Sequence, residues 1–185
     1  VNMPSPQGDP TYIKNKEKYF IDIAKQIGLA STHPTAPGGC IVVRDREIVG
    51  DGRSLLTDSK VEVDCLCYAI AAAAKRGTPM AGAVVYTTRY PFSASVFQCH
   101  VMGIKKIIFL CHDWEPYYKH EFRRAGRIAR ELSIALEPFY DNPDLRFAVN
   151  QNADQDIEEE LEETSNPHQP DDYDPKTKRE IHDDD

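Results

Sequence analysis

Between Ala83 and Phe139 the chain alternates short β-branched, aliphatic runs with stretches of helical periodicity, and that alternation leaves few folds open to it. Ala83-Val84-Val85-Tyr86-Thr87-Thr88, Lys106-Ile107-Ile108-Phe109-Leu110 and Ile134 to Phe139 read as strands; Ser93 to Met102 and Lys119 to Leu132 read as helices. In the second of these helices Phe122, Ala125, Ile128, Ala129 and Leu132 share one face. A strand that reaches its neighbour only through a helix pairs with it in parallel, and the helices then cover the sheet.

The first half adds to the same sheet. Residues 11–31 place Ile13, Tyr19, Phe20, Ile23, Ala24 and Ile27 on one predicted helical stripe, ended by Pro34, Pro37, Gly38 and Gly39. Cys40 to Val43 and Ile48 to Gly50 flank Asp45-Arg46, the pattern of an antiparallel hairpin. Val61 to Arg76 is a predicted helix whose alanines favour the helical state and let it lie close to a sheet, with Gly77 as its stop. The order α-β-β-α-β-α-β-α-β predicts an α/β fold: a three-layer α/β/α sandwich around a five-stranded mixed sheet.

A chain of 185 residues with 41% hydrophobic content supports one domain, expected over 1–140. Residues 151–185 hold 14 Asp and Glu against 3 Lys and Arg, while the preceding 150 hold 16 acidic and 19 basic side chains. The segment 141–185 therefore reads as an acidic, flexible tail, in which Ile157 and Leu161 stand four apart among glutamates. Five cysteines without regular spacing fit free thiols in a reducing compartment, so a cytoplasmic location is expected. No run approaches the roughly 18 apolar residues of a membrane span, and the first 20 residues lack the order of a secretory leader. No membrane partner is expected.

Two segments, VDCLCYAIAAAAKRG and YTTRYPFSASVFQCHVMGIKKIIFL, carry a resemblance to the cytidine and deoxycytidylate deaminase superfamily over about residues 11–140. In that family a helix opens with His-Ala-Glu and Ala-Ile follows two residues later; here Ala69-Ile70 set the register, so the three positions hold Asp64, Cys65 and Leu66. A later strand ends in Thr-x-x-Pro-Cys-x-x-Cys ahead of a Gly-Ile pair; here Thr88-Arg89-Tyr90-Pro91 precedes Phe92 and Ser95, and Gly103-Ile104 stand in place. The resemblance implies hydrolytic deamination at a zinc ion held by one His and two Cys, with a glutamate moving protons. All four positions differ: Asp64 for the histidine, Leu66 for the glutamate, Phe92 and Ser95 for the cysteines.

Phenylalanine donates no lone pair, serine is a poor zinc ligand beside a thiolate, and leucine moves no proton. No metal and no cofactor is expected. Asp64 reads as the N-cap of the Ala-rich helix rather than a ligand, with Leu66 and Phe92 an apolar plug in the space of metal and water. Cys65, Cys67, Cys99 and His100 are the residues that could rebuild a metal site. Residues two apart on a helix diverge by about 200°, and Cys99 lies about 6 Å along the axis from Ser95, so they read as small hydrophobes instead.

Ser54 stands where the family has a ligand-contacting asparagine, and Thr88, Arg53 and Arg89 flank the implied pocket as candidate contacts for an anionic nucleotide. Lys119, Arg123, Arg127 and Arg130, with His120 and Arg124 beside them, form a basic stripe suited to nucleic acid phosphates, an acidic partner or ordinary solvation. No aromatic platform accompanies it. The expected function is a catalytically inactive deaminase-fold subunit, scaffold or interaction module with a protein partner or a second copy. The alternatives are a nucleotide sensor without turnover and a deaminase-type hydrolase with a rewritten site.

Overall fold

A computed structural model describes residues 10–110 and 119–141, with side chains over 16–110 and 120–141. All belong to the first of two units into which the chain divides, Val1–Leu145 and Arg146–Asp185. Apart from Asp141, the predicted tail lies outside the described residues, as do Cys111 and the side chains of Ile13 and Lys119.

The elements are α1 (Pro10–Gly28), β1 (Gly39–Arg44), β2 (Glu47–Arg53), β3 (Leu55–Leu56), β4 (Glu62–Val63), α2 (Cys65–Lys75), β5 (Val84–Thr87), α3 (Ser93–Val101), β6 (Lys106–Leu110), α4 (Lys119–Glu131) and β7 (Ala135–Phe139). Five strands form one mixed sheet in the order β2-β1-β5-β6-β7. β1 is antiparallel to both β2 and β5, whereas β5, β6 and β7 run parallel, as the intervening helices require. β3 and β4 make a separate two-stranded ribbon that the sequence does not announce. It occupies the start of the predicted 61–76 helix, which begins only at Cys65.

Side chains alternate across the sheet. Ile41 and Val43 of β1, with Tyr86, Ile108 and Leu110, pack against Phe20, Ile21 and Ala24 of α1. Cys40, Val42, Val85 and Ile107 face the other way, onto buried residues of α2, α3 and α4. The result is the three-layer sandwich, in which α1 is the only helix on its side among the described residues. The α1 stripe is rotated from the predicted one: Tyr19 is 62% exposed and Ile21 is fully buried, because the face centred on Ile21 and Ala24 meets the sheet.

Two glycines set the layer spacing. A Cβ on Gly39 would stand 1.9 Å from the Ala24 carbonyl oxygen, and one on Gly52 would stand 2.3 Å from that of Cys65. The bare backbone of β2 thus lets the start of α2 descend onto the sheet. Among the described residues no helix is long and apolar enough to cross a membrane.

Candidate functional site

The first turns of α2 and α3 converge at the carboxyl end of β5, where the right-handed crossovers of a parallel pair leave helix N-termini. Asp64 has the extended backbone of an N-cap (φ −65°, ψ 141°), and its carbonyl accepts the Tyr68 N–H, but its side chain makes no capping bond. The predicted cap is therefore only half right. The carboxylate turns toward α3 instead, where Oδ2 accepts from Ser95 Oγ at 2.5 Å and Oδ1 accepts from Cys65 Sγ at 3.5 Å. Ser95 is 1% exposed. Burial raises the Asp64 acid above its ordinary value, although Ser95, Cys65, the nearby Leu66 amide and the Arg89 charge each draw it back.

Leu66 is fully buried in the helical layer, as predicted for a plug. Phe92 departs from that expectation. It is the N-cap residue of α3, only partly buried, and the Arg89 guanidinium lies 6.0 Å from its ring centroid. The first turn of α3 is satisfied from α4: Glu121 accepts from the Ser93 amide at 2.7 Å and from the Ser93 hydroxyl. Sequence offered no signal for this pair, since the two residues stand 28 apart without shared periodicity.

The sulfurs do not gather. Cys65 contacts Thr87 Oγ1 at 3.6 Å, Cys67 points between the helices to Gln98 Oε1 at 3.1 Å, and Cys99 is buried in the core behind α3. His100, on the outer side of α3, is exposed. Burial, then the Asp64 charge, push the Cys65 thiol up and carry that of Cys99 to about 12, and burial holds Cys40 well above its usual range. These groups are thiols, not thiolates, at neutral pH.

The donor chemistry does not fit the zinc ion that the family resemblance implies. Leu66 and Phe92 supply no lone pair, and Asp64 and Ser95 are engaged with each other. Among the described residues no group of three or more His, Cys, Asp or Glu is arranged to hold a metal.

Around this centre the candidate ligand contacts are turned to structural uses. Thr88 Oγ1 accepts the Gly39 amide at 2.9 Å. Arg89 donates to the Ala36 carbonyl at 2.9 Å and stands 3.8 Å from Glu62, with its side chain 15% exposed. His33 Nδ1 accepts the Ala36 amide at 3.0 Å, which places its proton on Nε2, 3.4 Å from the same Glu62 oxygen. His33, Glu62 and Arg89 thus lock the α1–β1 loop over the site, and sequence reading missed the first two. The buried Ser54 hydroxyl has no hydrogen bond of regular geometry and lies beside the Cys65 thiol; Arg53 Nε is buried likewise.

The basic stripe is narrower than predicted. Arg124, Arg127 and Arg130 are exposed on α4, whereas Arg123 is partly buried with its Nε inaccessible to solvent.

No protein-family model and no curated protein matches the chain. Solved structures do. It is similar to the apo dCMP deaminase of cyanophage S-TIM5, at 15% identity and a TM-score of 0.57, over 68% of this chain and 98% of that one. It is also similar to the diaminohydroxyphosphoribosylaminopyrimidine deaminase/5-amino-6-(5-phosphoribosylamino)uracil reductase of Thermotoga maritima, at 19% identity and a TM-score of 0.58, over 68% of this chain. A form of RibD from Acinetobacter baumannii matches at 21% identity and a TM-score of 0.54, again over 68% of this chain. The chain spans only 37% and 36% of those two longer proteins. Strand order, helix placement and these likenesses agree: the chain has the fold of the cytidine and dCMP deaminase superfamily.

Proposed function

We propose that this chain is a catalytically inactive deaminase-fold protein that serves as a non-catalytic subunit, assembled through α2 and α3 with a second copy of itself. The observation that carries the first part is the Asp64–Ser95 contact: two of the four positions that would run the chemistry bond to one another, and the other two are hydrocarbon. Without a held metal hydroxide and a proton-moving carboxylate, attack on a ring carbon has neither nucleophile nor acid.

The assembly surface is argued from charge. No Asp, Glu, Lys or Arg occurs between Cys65 and Ala74 or between Ser93 and Val101. Yet Phe97 is 54% exposed and Val101 64%, and Ala71 and Ala74 of α2 and Ala94 of α3 are exposed as well. A surface helix ordinarily turns a charged face outward, and one apolar all round is covered. α4 presents Arg124, Arg127, Arg130 and Glu131, and α1 presents Lys16 and the Lys18–Asp22 pair, so a twofold contact on either would have to bury charged groups. The α2–α3 face meets its own copy without that penalty.

Native mass spectrometry should show a dimer that Phe97→Asp converts to monomer with an unchanged far-ultraviolet spectrum. A wild-type monomer alone at micromolar concentration sinks the assembly reading. The nucleotide-sensor alternative has less support, because Arg89 is held by Ala36 and Glu62. Titration calorimetry with nucleoside monophosphates should give no heat, and saturable binding would put the sensor in the subunit's place. Deaminase turnover with added zinc, abolished by Asp64→Ala, would restore the rewritten enzyme.

A further inference from the structure

We propose that the Asp64–Ser95 hydrogen bond has replaced a metal ion as the tie between the starts of α2 and α3, so that this domain is held together without zinc. The claim concerns the fold's integrity and stands apart from whether the chain assembles.

In the family that the chain resembles, positions 64, 92 and 95 supply the ligands, so one ion clamps two helix starts that are distant in sequence. Losing the ion alone would leave three deficits: no clamp, donors at the first turn of α3 facing nothing negative, and unfilled volume between the helices. Each deficit has its own remedy here, drawn from a different place in the chain. Asp64 and Ser95, 31 residues apart, close directly at 2.5 Å, the length of a charge-assisted O–H···O⁻ bond. Glu121 of α4 brings its carboxylate to the Ser93 amide and hydroxyl, meeting the positive end of α3. Leu66 adds a fully buried aliphatic side chain on the facing side of α2.

Asp64 stands at the N-cap of α2 without a side-chain capping bond of regular geometry, while the Leu66 amide lies close enough to draw its acid down. A carboxylate at an N-cap ordinarily bonds the N2 or N3 amide. The short bond across to Ser95 makes this residue a tie between helices as well as the N-cap of its own. Cys65 Sγ lies 3.5 Å from the second carboxylate oxygen, a weak contact that points the same way.

The test is thermal melting of the full chain in a double-mutant cycle. Ser95→Ala should lower the melting temperature by about 5–10 °C, the loss of a hydrogen bond to a charged group. In an Asp64→Ala background the same change should have little effect, because its partner is gone. Should Asp64→Ala not fold, Asp64→Asn closes the cycle: its amide still offers Ser95 an oxygen but no charge, so Ser95→Ala should cost less there than in the wild type. A second arm needs no variant, for a strong chelator should leave the wild-type melting temperature unchanged. Equal costs of Ser95→Ala in both backgrounds, or a melting temperature lowered by chelation, overturns the tie. Equal costs leave the subunit reading intact, and a monomer in native mass spectrometry leaves the tie intact.

Discussion

Asp64 is a partly buried acid with a hydroxyl and a thiol on its two oxygens. Its folded-state pKa is raised above the ordinary 3.8 by burial, so the native state binds its proton more tightly than the unfolded chain does. Stability therefore falls as pH rises from below 3.8 through the raised folded value, and is level above it. Asp64→Asn removes the titration. The melting temperature of the variant minus that of the wild type should be flat at the acid limit, climb across that window and then plateau; a difference independent of pH counts against the buried charge. The identities of 64, 66, 92 and 95 were legible because two fixed pairs, Ala69-Ile70 and Gly103-Ile104, set the register. Glu121, His33 and Glu62 were not legible, because contacts across 28 or 29 residues leave no periodic trace in sequence.

Elements were read well where pattern and propensity agree, and less well where a tertiary contact decides. β6 spans Lys106 to Leu110 as expected, since an isolated apolar run between two polar boundaries has one way to be buried. α1 exists as expected but turns Tyr19 outward, because neighbouring rotations of a long helix differ little in apolar content until a sheet selects one. The ribbon of β3 and β4 is too short for any period to register. The β1–β2 turn was predicted at Asp45-Arg46, and both residues take left-handed backbone, φ 51° and 69°. Asp45 tolerates that region but Arg46 does not, and relief at Arg46 is worth about 1–2 kcal/mol at most. Asn-Gly in place of Asp45-Arg46 should raise unfolding stability by about 1 kcal/mol in urea titration. A loss would mean that the turn is held by contacts beyond its own backbone.

For the whole molecule, the alternation of strands and helices determined the α/β class, the mixed sheet and the parallel pairing of β5, β6 and β7, because chain connectivity permits little else. Side-chain identity alone also sets Asp64, Leu66, Phe92 and Ser95 at the positions where the resembled family has His, Glu and two Cys. The charge-free stretches of α2 and α3 were visible in the same way, but that they lie side by side with Phe97 and Val101 outward was not. Only the packed structure decided that Asp64 bonds Ser95 across to α3, that Glu121 serves α3, and that Arg89 bonds the α1–β1 loop at Ala36. The physical reason is common to all three: a polar side chain about to be buried takes the partner that folding brings within reach, and that partner is fixed by layers and crossings rather than by neighbours along the chain.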